Sequence, residues 1–479
     1  MDTMEYIRDI VYAVLAFLMF YKGVYTVLGV FTKPKVFADA PMTKKYGVVI
    51  AARNEDKVIG HLVDSLMAQT YPTENYRIFV VADNCTDGTA RVAREHGATV
   101  FERSCPEKAR KGWALEFLFE CIERDFGIKS FDGYLFFDAD NVVSADYLEQ
   151  MNKAFATDCD AVIGYRNTKN FDRNWISAHY AIHFMRSTMT FHRPRSRLGL
   201  STHIAGTGYL LSSELLKDGW HYSCLTEDTQ ATMDFSVQGK RIEYCEAAEF
   251  YDEQPYQLKV MARQRIRWAK GRLACFFAYG HRLLVGIFKR FGKDKGDKES
   301  IKQATEALEG TVNNAKSSPL PEILMTVGTA VTDFFGKLIR PVSKNVSCYD
   351  MFFYLFPNSL FYKLVNIAYY VAGFIVCMHL GVAFAEGAAE WVIAGLGLLF
   401  GSAFTYIGNM LFGLIVVLRE WRHVHCSKKK LACFLLTWPI HDMMYAYLCI
   451  ASLFMHVKWK PIKHDEAISL DDIEGKKRA

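Results

Sequence analysis

Apolar positions along the chain follow two regimes. Long unbroken runs lie toward both ends, while residues 40–270 carry short apolar runs separated by amphipathic stretches. Tyr46–Ala52 (YGVVIAA) predicts a buried strand, followed by a helix from about Asp56 to Gln69. Arg77–Ala82 (RIFVVA) predicts a second strand, with a helix from about Asp87. Thr99–Glu102 predicts a short third strand and about Glu107–Arg124 a helix. Tyr134–Phe137 (YLFF) predicts a fourth strand running straight into Asp138-Ala139-Asp140. Strand and helix alternating in this way predict an α/β domain with a mostly parallel sheet and helices on both faces. Ligands bind at the carboxyl ends of strands in such sheets, so the polar residues there are the candidates.

The end runs predict membrane segments. Ile10–Phe31 is about long enough to span a bilayer, and it lacks the short apolar core and cleavage site of a signal peptide. Lys22 within it reads as snorkelling to the interface, with a polar path as the alternative. Lys33, Lys35, Lys44 and Lys45 then place the following domain in the cytoplasm. Ala274–Phe288 predicts an interfacial helix, 291–316 a polar charged segment with some helix, and Pro319 opens an amphipathic stretch to about Ile339. Tyr362–Phe384 and Trp391–Leu418 predict two spans joined by an acidic external loop. Leu431–Met455 is apolar but interrupted by Pro439, His441 and Asp442. A single crossing there would put Lys458, Lys460 and Lys463 outside, against the charge rule, and a bend at Pro439 would keep them inside. The predicted organisation is an anchor at 1–35, a cytosolic catalytic domain at 36–275, interfacial helices at 276–350, a membrane region at 351–457 and a polar tail at 458–479. That is a multi-pass plasma-membrane protein with its catalytic domain facing the cytoplasm.

Composition narrows the function classes. A net charge of +5 without a long basic tract gives no support to nucleic-acid binding. Twelve cysteines occur singly with no CxxC pair, which points to reduced thiols and away from a disulfide framework or zinc site.

Polar clusters supply the candidate chemistry. Arg53-Asn54-Glu55 follows the first strand, and Asp83 to Thr89 the second. Asp87 and Thr89 suit a turn and helix cap. Asp138 and Asp140 are two carboxylates one residue apart at a strand end, which repel unless a cation lies between them. Such oxygen donors suit Mg²⁺ or Mn²⁺ carrying a diphosphate. Lys111 near a helix start suits a nucleotide phosphate or an ordinary surface. Gly206-Thr207-Gly208 allows close backbone approach or a plain turn. Thr226-Glu227-Asp228 precedes a helical stretch. In Gln264-Arg265-Ile266-Arg267-Trp268, helical spacing puts Gln264, Arg267 and Trp268 on one face. Arg forks phosphate oxygens and Trp stacks on a sugar, although a basic helix resting on lipid has the same residues.

Taken in order, Asp83, Asp138-Ala139-Asp140, Thr226-Glu227-Asp228 and Gln264-Arg265-Ile266-Arg267-Trp268 resemble the D, DxD, TED and QxxRW series of membrane-embedded family 2 glycosyltransferases, the group of cellulose, chitin and hyaluronan synthases. The resemblance covers about residues 44–275 by motif. It implies a GT-A fold and inverting transfer from a UDP-sugar. Carried over by position, Glu55, Asp83 and Lys111 hold the nucleotide, and Asp138 and Asp140 hold diphosphate and metal. Asp228, beside Glu227, is the general base. Gln264 and Arg267 bind the diphosphate. Trp268, with Gly206, Thr207 and Gly208, meets the acceptor. The first expectation is a processive synthase that makes and extrudes a β-glucan from UDP-glucose. The alternatives are a transferase adding one sugar to a membrane lipid, and a hyaluronan, chitin or poly-N-acetylglucosamine synthase. One N-terminal span, where many relatives have more, leaves room for a homo-oligomer. Neither a regulatory domain after the last apolar run nor the gating-loop motif of bacterial cellulose synthase is evident.

Overall fold

The computed structural model describes residues 2–291, 298–314, 318–358, 361, 362, 365, 388–457, 462, 464 and 466–478. Eight strands form one sheet: β1 (Tyr46–Ala52), β2 (Tyr76–Asp83), β3 (Thr99–Arg103), β4 (Gly133–Asp138), β5 (Val142–Val143), β6 (Ala161–Thr168), β7 (Tyr209–Ser212) and β8 (Ile242–Asp252). Their order is β3-β2-β1-β4-β7-β6-β8-β5. The first four strands are parallel to one another, as expected for βα units. The second half departs from that pattern. β7 pairs antiparallel with both β4 and β6, and β5 antiparallel with β8, while β6 and β8 are parallel. The sheet is therefore mixed and not mostly parallel. The antiparallel β7 lets the chain return from the loop at 199–208 directly alongside β4.

Helices cover both faces. On one face Ile59, Leu62, Val63 and Leu66 from helix Ile59–Met67 pack on Val48, Ile50 and Val80. On the other, Ala114, Leu115, Leu118 and Ile122 from helix Lys111–Asp125 pack on Val49, Phe79 and Phe136. Alternate residues of one strand thus serve two cores, which is why the central strands are apolar throughout. Both predicted helices start later than the sequence pattern suggests. The residues ahead of them form the loops that carry Glu55 and Arg110.

Helix Leu258–Phe288 starts three residues after Pro255, so that proline precedes the first turn. It leaves Phe277, Leu284, Val285 and Phe288 exposed. Helices Lys298–Asn314, Leu320–Ile339 and Ser343–Leu355 follow. Helix Asp2–Phe31 includes the apolar run at 10–31, and helix Ala388–Arg419 includes the run at 391–418. Among the described residues two stretches, Glu5–Phe31 and Phe400–Arg419, are long and apolar enough to cross a membrane. The predicted span at 362–384 lies almost wholly outside the described residues, as do Lys458, Lys460 and Lys463.

Helix Lys428–Phe454 runs unbroken through Pro439. It lies along the sheet domain. Phe434 and Trp438 pack with Phe171, Ala178 and Ile182, Asp442 pairs with Arg186 at 2.8 Å, and Lys270 Nζ donates to the Met455 carbonyl at 2.6 Å. The chain beyond it returns to the same domain, where Ile468, Leu470 and Ile473 pack on Val142 and Tyr251.

Candidate active site

The carboxyl ends of β1, β2 and β4 meet at one cavity of about 310 Å³. The loops after β1 and β2 are tied together. Asn54 adopts φ 58° and its side-chain oxygen accepts from the Thr86 amide at 2.8 Å, while the Glu55 amide donates to Thr89 Oγ1 at 2.8 Å. Asp87 accepts from both the Thr89 amide and its hydroxyl, the turn and cap expected for it. Asp83 ends β2 and is held by Arg103 Nη1 at 2.5 Å. Glu55 projects into the cavity, where burial pushes it up to about 7 against the opposing pull of His464.

Backbone register fixes the next group. Asp138 ends β4 opposite Ala51 of β1, and β7 begins antiparallel to β4 with Tyr209 opposite Phe136. The 206–208 loop is therefore carried back onto Asp138. Lys111, the first residue of its helix, pairs with Asp138 and donates to the Gly206 carbonyl at 2.8 Å. Burial alone would discharge Lys111, but Asp138 and Glu227 hold its proton and raise it. Gly206 lines the cavity. Thr207 and Gly208 do not; they stand behind it and set the loop. The Asp138 amide donates to Thr207 Oγ1 at 2.9 Å, and the Thr207 hydroxyl donates to Asn141. Gly208 has φ +66°, and a β-carbon there would run into the Phe250 ring.

Asp140 is buried and accepts from the Glu253 amide at 2.9 Å. Burial raises such a carboxyl, but His464 and Lys169 outweigh it and hold Asp140 below the usual range. Among the described residues no three His, Cys, Asp or Glu side chains gather tightly enough to hold an ion by themselves. Asp138 and Asp140 are hard oxygen donors, and Mg²⁺ is commonly held by one or two carboxylates together with substrate phosphates. The donor set fits an ion that arrives with a diphosphate.

The opposite wall comes from two helices. Glu227 and Asp228 open helix Glu227–Gln238. Burial, then the Asp228 charge, pushes Glu227 up to about 7. Burial also raises Asp228, against the Thr229 amide, Lys111 and Arg267. Helix Leu258–Phe288 brings Gln264, Arg267 and Trp268 to the cavity on one face, as the spacing predicts. Tyr180 donates to Gln264 Oε1 at 2.7 Å and meets the Trp268 ring edge-on at 5.9 Å. Arg267 Nη1 donates to the Leu225 carbonyl at 3.0 Å, tying this helix to the loop before Asp228. Every sequence-predicted site residue except Thr207 and Gly208 thus reaches one cavity.

Further residues line it that the sequence pattern did not single out. Arg166, near the end of β6, bonds Asp252 at 2.7 Å and the Ala205 carbonyl at 3.0 Å. Arg166 follows the apolar run AVIGY and Asp252 closes EFYD, so strand-end reasoning could have found both. His464 carries no local signal. Its Nδ1 lies 3.0 Å from Glu55 and its Nε2 4.0 Å from Asp140. Burial would discharge it, but Asp140 and Glu55 raise it to about 10. Arg272 and Tyr354 complete the wall and are shared with a second cavity of about 340 Å³ between the surrounding helices.

Residues 43–271 match the family described as Glycosyltransferase like family 2. The chain is 26% identical over 278 residues to the beta-monoglucosyldiacylglycerol synthase of Nostoc sp., which is 54% of this chain and 58% of that relative. It is 25% identical over 235 residues to the protein named probable glycosyltransferase YdaM of Bacillus subtilis, 47% of this chain and 55% of that one. The chain thus spans less than two thirds of either relative. Among solved structures it is similar to the mannosyltransferase PcManGT of Pyrobaculum calidifontis in complex with GDP-Man and Mn²⁺, at TM-score 0.45 and 15% identity, covering 93% of this chain and 98% of that one.

Proposed function

We propose that the chain carries a family 2 glycosyltransferase domain and that it transfers a single sugar, with inversion, from a UDP-sugar to a lipid acceptor at a membrane face. UDP-glucose is the first choice of donor. The observation that carries this reading is the wall shared by the two cavities. Arg272 and Tyr354 border both the carboxylate-rich cavity and the second, aromatic-lined one. A nucleotide-sugar suits the first and an amphiphile the second. The name of the Nostoc relative, a glucosyldiacylglycerol synthase, favours the same acceptor class.

The residues divide the work as follows. Glu55 and Asp83 hold the uridine side. Lys111, Arg267 and Gln264 hold the diphosphate, the two cations offsetting the charge that grows on the leaving group. A divalent ion on Asp138 and Asp140 adds charge neutralisation there. Asp228 takes the proton of the acceptor hydroxyl as that oxygen bonds to the anomeric carbon. The bond from the anomeric carbon to the β-phosphate oxygen breaks, and UDP leaves with the electron pair. Attack from the side opposite the leaving group turns an α-linked donor into a β-glycoside. Trp268 offers a ring face to the acceptor, and Gly206 leaves room beside Asp228.

A polymer synthase, the first expectation from sequence, is the second reading. The same shared wall favours it, because a growing chain could pass from one cavity to the other. The test is UDP release from full-length protein in nanodiscs, offered each UDP-sugar with and without lipid acceptor, with Asp228→Asn as control. A small, solvent-extractable product that appears only with lipid supports transfer to lipid. High-molecular-weight product from the donor alone overturns it in favour of the synthase.

A further inference from the structure

The second cavity is unusual in its charge. Three cations line it: Lys22, Arg195 and Arg272. Arg195 is neutralised by Asp350 at 3.0 Å. The other two have no carboxylate within ion-pair distance among the described residues. Lys22 Nζ donates to the Phe353 carbonyl at 3.1 Å. The Arg272 guanidinium faces the rings of Tyr354 and Tyr445 at 4.8 and 5.9 Å. The remaining wall is largely apolar and aromatic, with Leu273, Phe353, Phe356 and Phe412 among it. Cations withdrawn from water without counter-charge are costly, and the cost is relieved when an anion binds between them. A cavity with an apolar wall and two cations that lack a direct ion pair among the described residues matches an amphiphile with a negatively charged headgroup. Arg272 also borders the catalytic cavity that holds Asp228, so a headgroup held there stands next to the base.

We infer that the second cavity is the acceptor site and that it selects an anionic lipid, with a phosphate held by Lys22 and Arg272, the acyl portion along the phenylalanine wall and the reacting hydroxyl toward Asp228. This rests on the lipid-transfer reading and adds to it the charge of the acceptor. A neutral diacylglycerol would bring no counter-charge to either cation.

The experiment uses full-length protein in phosphatidylcholine nanodiscs with UDP-[¹⁴C]glucose. Three acceptors are compared: phosphatidylglycerol, diacylglycerol and soluble glycerol 3-phosphate. The expected result is a glucosylated phosphatidylglycerol formed at least about tenfold more efficiently than either alternative, as for the gain of one charge-assisted contact. Lys22→Met should raise the KM for phosphatidylglycerol by about tenfold while the Kd for UDP stays unchanged, which shows that the variant is folded, and Arg272→Gln, at the wall of both cavities, should raise the same KM by about as much. Diacylglycerol glucosylated as well as phosphatidylglycerol, with both variants neutral, overturns the inference and leaves lipid transfer standing. Stimulation by phosphatidylglycerol without its glucosylation also overturns it. Glycerol 3-phosphate used equally well overturns the lipid half. Polymer formed with no lipid product overturns both this inference and the reading beneath it.

Discussion

His464 Nδ1 lies 3.0 Å from Glu55 Oε1, although 409 residues separate the two in sequence. Through this contact the tail completes the Glu55 side of the cavity. Glu55 is pushed up by burial, and His464 is the group that most opposes that rise. His464→Gln should therefore leave Glu55 more protonated at neutral pH and raise the KM for UDP-sugar by about tenfold, with a smaller change in kcat. Steady-state kinetics with donor varied at saturating acceptor tests this. An unchanged donor KM would remove His464 from donor binding.

Asp228→Asn keeps the shape of the side chain and removes its ability to take a proton. Turnover should fall by about 10²–10⁴ while UDP affinity by calorimetry is retained. A variant with near-normal turnover would shift the base role to Glu227, and Glu227→Gln is the partner measurement.

The acid limb of activity should lie unusually high. A base must be ionised, and burial raises both Asp228 and Glu227, the latter to about 7. The ionised fraction falls as pH drops through those raised values, so kcat/KM should rise with pH with a midpoint above the ordinary carboxylate range of roughly pH 4. A profile still flat down to about pH 5 would contradict a buried carboxylate base.

Chelation separates catalysis from folding. For an ion held on the protein side by Asp138 and Asp140, as proposed, EDTA should abolish turnover, and added Mg²⁺ or Mn²⁺ should restore it. The Tm without nucleotide should hardly move, because an ion held mainly through substrate phosphates adds little to the apo protein. A large drop in Tm on chelation would reveal a structural metal instead.

Gly208→Ala meets two obstacles, a left-handed φ of +66° and the Phe250 ring. A loss of about 2–3 kcal/mol in stability is expected, read as a fall in the denaturation midpoint. Gly206 has φ +84° but faces open cavity, with only Asp228 Oδ2 within 3.6 Å of a new β-carbon. Gly206→Ala should therefore affect turnover more than stability, and the reverse ranking would argue against this placement.

Legibility in sequence followed burial on two faces. β1, β2 and β4 are sandwiched between helices and read as uninterrupted apolar runs, so their ends and the acids there were visible. β8 was not, because it carries Glu243, Glu246 and Glu249 within the strand. Those acids are compensated by partners distant in sequence. Glu243 meets Lys35 and Ser196, Glu246 meets Arg193, and Glu249 meets His423. A register shift between Gly164 and Tyr165 further breaks the β6–β8 pattern. Lys428–Phe454 posed a related problem. Its His441 and Asp442 look misplaced in an apolar run until the catalytic domain supplies Arg265 and Arg186 as neighbours. His464 lay beyond any local rule, since only the fold brings it to Glu55.

Helix Lys428–Phe454 also bears on how the molecule can be divided. Trp438 and Phe434 fill the surface formed by Phe171, Ala178, Ile182 and Met185, while Met444 and Leu448 pack with Ile176, Tyr180 and Met261. Tyr180 in turn holds Gln264. A fragment ending near residue 275 would keep every recognisable motif and lose the neighbours that hold those motifs in place. It would expose a broad apolar face to water and let the Gln264 side of the cavity drift. The smallest portion of this chain on which the proposed activity can be tested is therefore larger than the portion that carries the motifs.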